Sequence, residues 1–397
     1  MNFRWLYKNI KIGKWEIPLV IFVWFLLSAI TLFSEVIRGI GSINNYLVYK
    51  GVYEHLLSKQ NLYLAYPKEY SDLNHYGPVF GILIAPFVHL SLFIGCFCWG
   101  MFNAWILYFA ISKLPFPAKT IQIILLICLV ELMTSLHNVQ YNPMVAALII
   151  LSYLYVKEEK DWLATLCIAL GFLTKIYPIV GLFFFLFSKH KLKFIIWGIF
   201  WMAFLMVLPI IITSPHFLYQ TYFDWWQSLV DKTNQNLQCS VVGGMQDISV
   251  MGMIRRMGKD YNLKSIWVTF PAMVLLLIPL MHIKHYFNKR YQMLYLSCLL
   301  ITTVIFSSSA ESPTYIIAIA GVAVWWVNQV APITNLQKFL LAFAIILTSL
   351  SATDLFPPFI KTTYIVPYSL KALPCFFVWL TIVYQLICFN NQPQKEA

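Results

Sequence analysis

Charge is what this chain has least of. Only 11% of its 397 residues are Asp, Glu, Lys or Arg, against roughly a quarter in soluble domains, which excludes a water-soluble globular protein. Acids are the scarcer sign, 16 against 28 Lys and Arg, for a net charge of +12. The basic residues stand in short clusters between apolar runs, as the positive-inside bias dictates, and not on one nucleic-acid face. No nucleic-acid partner is expected. Glycine is sparse at 16 residues, and no P-loop, GxGxxG, GxSxG, HExxH or DxD motif occurs, so nucleotide-driven chemistry has no visible means. Cys96, Cys98, Cys128, Cys167, Cys298, Cys375 and Cys388 lie in apolar runs and Cys239 in a polar one. They read as small hydrophobes, without a disulfide framework or zinc spacing. The first apolar run, residues 17–33, lacks a small-residue cleavage site and reads as a retained span.

What is abundant is hydrocarbon: 60% of residues are hydrophobic and mean hydropathy is +0.71. The runs are continuous and not alternating, which favours helices over a barrel. Their number predicts an all-α polytopic membrane protein of about 11–13 transmembrane helices, read as a single integral membrane domain over 1–397. Arg4, Lys8, Lys11 and Lys14 precede the first span and place the N-terminus in the cytoplasm. Residues 78–112 read either as two short spans or as one span and a re-entrant piece. Two long polar regions remain, 35–77 and 214–264, expected as loops on the non-cytoplasmic side.

The first is the more informative. Its tyrosines (Tyr46, Tyr49, Tyr63, Tyr66, Tyr76) sit among Asn44, Asn45, Glu54, Glu69, Asp72 and His75, unlike a Gly/Ser linker. An ordered, ligand-binding loop is expected. Elsewhere, polar residues interrupt apolar runs at HNVQYN (137–142), LTKIYP (173–178) and AES (310–312). Ionisable groups at membrane depth are costly and usually functional. Lys175 precedes the helix-breaking Pro178 and is placed to meet a phosphate as a point charge, with Tyr177 beside it. The simpler reading of Lys175 is snorkelling. His137, Gln140 and Asn142 suit hydroxyl or phosphate oxygens, or else interhelical hydrogen bonds. Glu311 suits a site or a helix N-terminus. Arg255 and Arg256 add cations in the second polar region, and Asp72, with His75 and Tyr76 before YGP, has the best position for a base.

In order and spacing, NNYLVYKGVYEHLLSKQNLY, YPKEYSDLNHYGPVFGILIAPF, HNVQYNP and ALGFLTKIYPIVGLFFFLF resemble, over roughly residues 1–330, the polyprenyl-phosphate-sugar-dependent glycosyltransferases of the GT-C superfamily. The similarity is greatest to the family 87 (DUF2029) branch. The resemblance implies a GT-C-like bundle and inverting transfer of a mannose-like sugar from a polyprenyl phosphate to a glycan or glycolipid acceptor. It also implies a site facing the periplasm or exterior of a cell inner membrane. The catalytic aspartate of that family falls on Asn45, whose amide takes up no proton near neutral pH, so Asp72 is the expected base. No cofactor is implied beyond the lipid-linked sugar, and no metal ligand set is visible. A lipid-linked sugar transporter or flippase, or a catalytically silent lipid-glycan binder, is the alternative; no internal repeat favours the former.

Overall fold

The computed structural model describes residues 8–242 and 246–390, without the side chains of 12, 15 and 237–242. The readings placed on Arg4 and Cys239 lie outside the described groups. The chain is an all-α polytopic membrane protein. Among the described residues five helices are long and apolar enough to cross a bilayer, and 358–368 with 372–387, a pair bent by 59°, make a sixth if counted as one span. Five shorter apolar helices accompany them. The chain folds as two compact units, 1–232 and 233–397.

The first unit opens with a small hairpin that the apolar pattern does not announce, β1 (Asn9–Ile12) against β2 (Trp15–Pro18), with Asn9 opposite Pro18. Then come α1 (Leu19–Arg38), α2 (Asn44–Ser58), α3 (Val79–Val88), α4 (Leu92–Ser112) and α5 (Ala118–His137). They are followed by α6 (Asn142–Lys157), α7 (Asp161–Lys175) and α8 (Lys191–Val207). Helix α6 is apolar on every side and buried along nearly its whole length, as a helix without a polar face must be. Helix α4 packs against it, and α1 runs antiparallel to α4. Trp24 Nε1 donates to Ala104 O at 3.1 Å, and Leu32 packs on Gly100, where a Cβ would fall 2.3 Å from Leu32 Cδ2. Helix α8 instead exposes Leu192, Ile196, Ile199 and Phe200. A run of bare apolar side chains of that length marks the lipid-facing flank.

Two open points of the sequence are resolved by length. Helix α3 has 10 residues, about 15 Å at the α-helical rise, half the hydrocarbon thickness. It is too short to cross alone and packs on α2, and in 78–112 the helix of spanning length is α4. The run 162–187 is two arms: α7 ends at Lys175, and a 3₁₀ segment (Tyr177–Phe187) leads back until Lys189 Nζ meets Glu159 Oε1 at 2.7 Å. The second polar region is not a loop. It holds α9 (Pro215–Val242) and α10 (Val250–Gly258). Proline stands only at the first position of α9, and Gln220 and Gln227 donate to Asp224 and Asp231 one turn on. Such pairs support a helix that polarity alone reads as a loop.

In the second unit α11 (Ile266–Leu277), α12 (Lys289–Ile305), α13 (Tyr315–Val327) and α14 (Asn335–Phe343) follow, then the helix Ala372–Ile387. Helices α12 and α13 are buried almost throughout. The approach to α10 is fixed by a fully buried ion pair, Arg255 Nη1 to Asp247 Oδ2 at 2.8 Å, with Arg255 also donating to Leu263 O and Ser265 Oγ. Removing one partner of such a pair strands a charge. Asp247→Ala is therefore expected to destabilise by about 3–5 kcal/mol, read as a fall in the melting temperature of the purified protein in detergent. The double variant Asp247→Ala with Arg255→Met is expected to recover most of that loss.

Candidate functional site

Three chain breaks meet at one end of the first unit. Proline 178 has no N–H, so the carbonyl of Thr174, four residues before it, lacks its helical donor. Gly77 N–H fills the vacancy at 3.2 Å. A Cβ on Gly77 would lie 2.0 Å from Leu173 O, so the approach requires glycine. This bond joins the end of α7 to the YGP segment entering α3. Tyr141 OH lies 3.0 Å from Thr174 Oγ1 and adds the third break, between α5 and α6. There α5 ends in a Schellman-type turn, with Val139 N donating to Leu136 O and Gln140 N to Ser135 O, both at 2.9 Å. The left-handed position of that turn (φ 47°) is filled by Val139, a β-branched residue where glycine is usual. Strain of about 1–3 kcal/mol is typical of such residues.

The breaks assemble two polar clusters. In the first, Lys175 Nζ donates to Asn142 Oδ1 at 2.7 Å, and Asn142 Nδ2 to Gln140 Oε1 at 3.1 Å. The ammonium lies 5.7 Å from the ring centroid of Tyr76 and 5.3 Å from that of Tyr177, in cation–π range. Tyr49 OH lies 3.2 Å from Tyr76 OH. In the second, Glu35, at the end of α1, places Oε1 2.6 Å from His137 Nδ1 and 3.0 Å from Arg38 Nη1. Asn45 Nδ2 donates to Asn138 O at 2.7 Å, so Asn45 braces the same break. Asp72 is exposed; its Oδ2 accepts from Asn44 Nδ2 at 2.7 Å.

Of the residues singled out in the sequence, the structure thus joins Lys175, Asn142, Gln140, Tyr76 and Tyr177, and sets His137 and Asn45 on the same break. Glu35, one of the acids of the first polar region and a further candidate base, carries the second cluster with Arg38, which is not among them. Their signal was an acid and a base three residues apart where the first apolar run ends. Arg255, Arg256 and Glu311 lie in the second unit. Arg256 donates to Ser369 Oγ and to Gln246 O, so both guanidinia hold backbone and side chains of that unit. Glu311 stands at the N-cap of the turn Ser312–Thr314, its N–H donating to Thr314 Oγ1 at 3.3 Å in a capping box. Among the described residues no three His, Cys, Asp or Glu side chains converge as a metal-ligand set.

His75 lies between the clusters and α9. Its Nδ1 is 2.8 Å from Ser228 Oγ, and its carbonyl accepts from Trp225 Nε1 at 3.0 Å. Burial, then the positive charges of Lys232 and Lys175, push its pKa down to about 4. The imidazole is therefore neutral near pH 7 and acts as a hydrogen-bonding strut. The unfolded chain binds its proton near pH 6.5, so this contribution to stability is complete above pH 6.5 and is lost as pH falls towards 4. Thermal melting between pH 7 and 4 should show that acid-side loss, at most about 3 kcal/mol, and His75→Gln should flatten it.

The sequence profile of glycosyltransferase family 87 matches residues 74–309, more than half of the chain. The match takes in the YGP entry, the break between α5 and α6, Lys175 and both arginines of α10. It begins beyond Glu35, Asn45 and Asp72 and ends before Glu311. No curated protein matches the chain. A polytopic helical bundle whose membrane-embedded breaks gather a cation, two amides and phenols, and whose sequence matches that profile over 74–309, belongs to glycosyltransferase family 87.

Proposed function

We propose that this membrane glycosyltransferase takes a mannose-like sugar from a polyprenyl-phosphate donor and passes it to a hydroxyl of a glycan or glycolipid acceptor. The observation that carries the reading is Lys175. Its ammonium, held by Asn142 Oδ1 between Tyr76 and Tyr177 at the convergence of three breaks, is a fixed point charge suited to a phosphate that leaves. Gln140 and Asn142 offer amide donors to phosphate or sugar oxygens, and the aromatic rings offer faces to the sugar. A phosphate is already a competent leaving group, so no nucleotide site is required. Lys175, and not Arg255 or Arg256, meets the donor phosphate in this reading, because both guanidinia are spent on their own unit. Asp72 and His137 are the two groups able to take the acceptor's proton.

Sidedness follows from charge. Lys8, Lys11 and Lys14 precede α1, Lys113 and Lys119 flank the turn from α4 to α5, and Lys189, Lys191 and Lys193 follow the 3₁₀ arm. These positions lie at the end of the helices opposite Lys175. The positive-inside rule puts them in the cytoplasm, and so puts the site on the non-cytoplasmic face of a cell inner membrane. There a lipid-linked donor keeps its tail in the bilayer among the surrounding membrane lipids.

The test is transfer of radiolabelled sugar from synthetic polyprenyl phosphates by the purified protein. Lys175→Met should lower transfer about 10–150-fold, the worth of one hydrogen bond to a charged group, and Lys175→Arg should retain part of it. Full activity in Lys175→Met, or transfer from a nucleotide sugar instead, would overturn the reading.

A further inference from the structure

We propose that His137, held by Glu35, is the group that takes the proton from the acceptor hydroxyl; the inference rests on the glycosyl-transfer reading above. A general base must present a lone pair to the reacting hydroxyl, in a tautomer that a second group fixes. The Glu35 side chain is 2% exposed and lies 2.6 Å from His137 Nδ1. An ionised carboxylate only accepts hydrogen bonds, so Nδ1 donates and the lone pair is left on Nε2. The imidazole is about half exposed, so Nε2 faces outward from a buried carboxylate. Arg38 Nη1 stands 3.3 Å from Nε2 on a side chain 57% exposed. Arg38 Nη1 is held mainly by Glu35, donating to Oε1 at 3.0 Å and Oε2 at 3.2 Å, so an acceptor hydroxyl has to replace its longer contact with Nε2 while those two bonds remain.

Two further observations place this dyad in the site. The same six-residue break carries His137 at its start and Asn142, the partner of Lys175, at its end. The break is also rigidly built, for it contains the left-handed Val139 and is braced by Asn45 Nδ2 on Asn138 O. Asp72 has no comparable support. It is exposed, and its only bond given by the structure is from Asn44.

In the step assigned here, the acceptor O–H gives its proton to His137 Nε2 as its oxygen pair forms the new bond to the anomeric carbon. The bond from that carbon to the phosphate oxygen breaks, and its electron pair leaves with the phosphate towards Lys175. The imidazolium that results sits against the Glu35 carboxylate, which stabilises it as triad carboxylates do. Asn45 takes no proton; it is a positioning residue.

The experiment compares wild type with His137→Gln, Glu35→Gln and Asp72→Asn, all purified and checked by thermal melting, in radiolabelled transfer from a synthetic polyprenyl-phosphate sugar. His137→Gln should lower kcat about 10²–10⁴-fold, the range for general-base removal, with the donor KM within a few-fold of wild type. Glu35→Gln should lower kcat with little change in the donor KM and Glu35→Asp should regain part of it, a split and a rescue that a merely structural role for Glu35 would not give. His137→Ala should regain activity on addition of imidazole. Retention of kcat within 3-fold of wild type by a folded His137→Gln would overturn the inference, as would its survival alongside an inactive Asp72→Asn. A wild type that transfers from no polyprenyl phosphate would instead overturn the donor reading on which this rests.

Discussion

The hydrogen bond from Gly77 N–H to Thr174 O is the contact on which the site depends. In hydrocarbon an unsatisfied carbonyl costs several kcal/mol, because no water replaces the missing donor. Pro178 creates such a carbonyl, and the chain answers by bringing another segment to it. That one bond ties the end of α7 to the segment entering α3 and requires glycine at position 77. The polar side chains then follow their backbones. Tyr76 is carried in by its neighbour, Tyr141 reaches Thr174 Oγ1, and Asn142 comes within 2.7 Å of Lys175.

Of the roughly 11–13 spans expected, five helices, or six with the bent pair, reach spanning length among the described residues. The helical membrane class was legible because apolar runs are long and hydrocarbon tolerates little else. Three parts of the fold were not. The hairpin at Asn9–Pro18 is too short to show a period. The region 214–264 looked like loop because polarity was its strongest feature, whereas α9 is sustained by the absence of interior glycine and proline and by side-chain pairs four residues apart. The single run 162–187 concealed a turn back on itself, and only the LTKIYP interruption pointed to it.

Within the site, the sequence singled out the breaks correctly as places where polar groups collect, and Lys175 with Asn142, Gln140, Tyr76 and Tyr177 follows from that. Individual partners were not legible. Nothing in the spacing of Glu35 and His137, 102 positions apart, says that α1 and α5 end side by side. Conversely, Arg255 and Arg256 look like free cations in a polar stretch. Burial turns both into internal struts, since a guanidinium with no exposure persists only with its donors used, as Arg255 uses them on Asp247, Leu263 and Ser265.

Charge in this chain is scarce enough that its placement carries information. In the first unit, a buried acid at 35 with a histidine at 2.6 Å and a lysine at 175 with an amide at 2.7 Å lie on either side of one strained break. A transfer that moves a proton one way and leaves a phosphate anion the other requires an acceptor for each, and those acceptors must not neutralise one another. The residues 137–142 keep the carboxylate–imidazole pair and the ammonium on separate partners, Glu35 for one and Asn142 for the other. Asn45 fits this arrangement because it is uncharged. An aspartate there would add a second anion and, lacking N–H donors on its side chain, would lose the bond to Asn138 O that braces the break. An amide at position 45 therefore suits the proposed reaction, in which proton acceptance falls to the dyad.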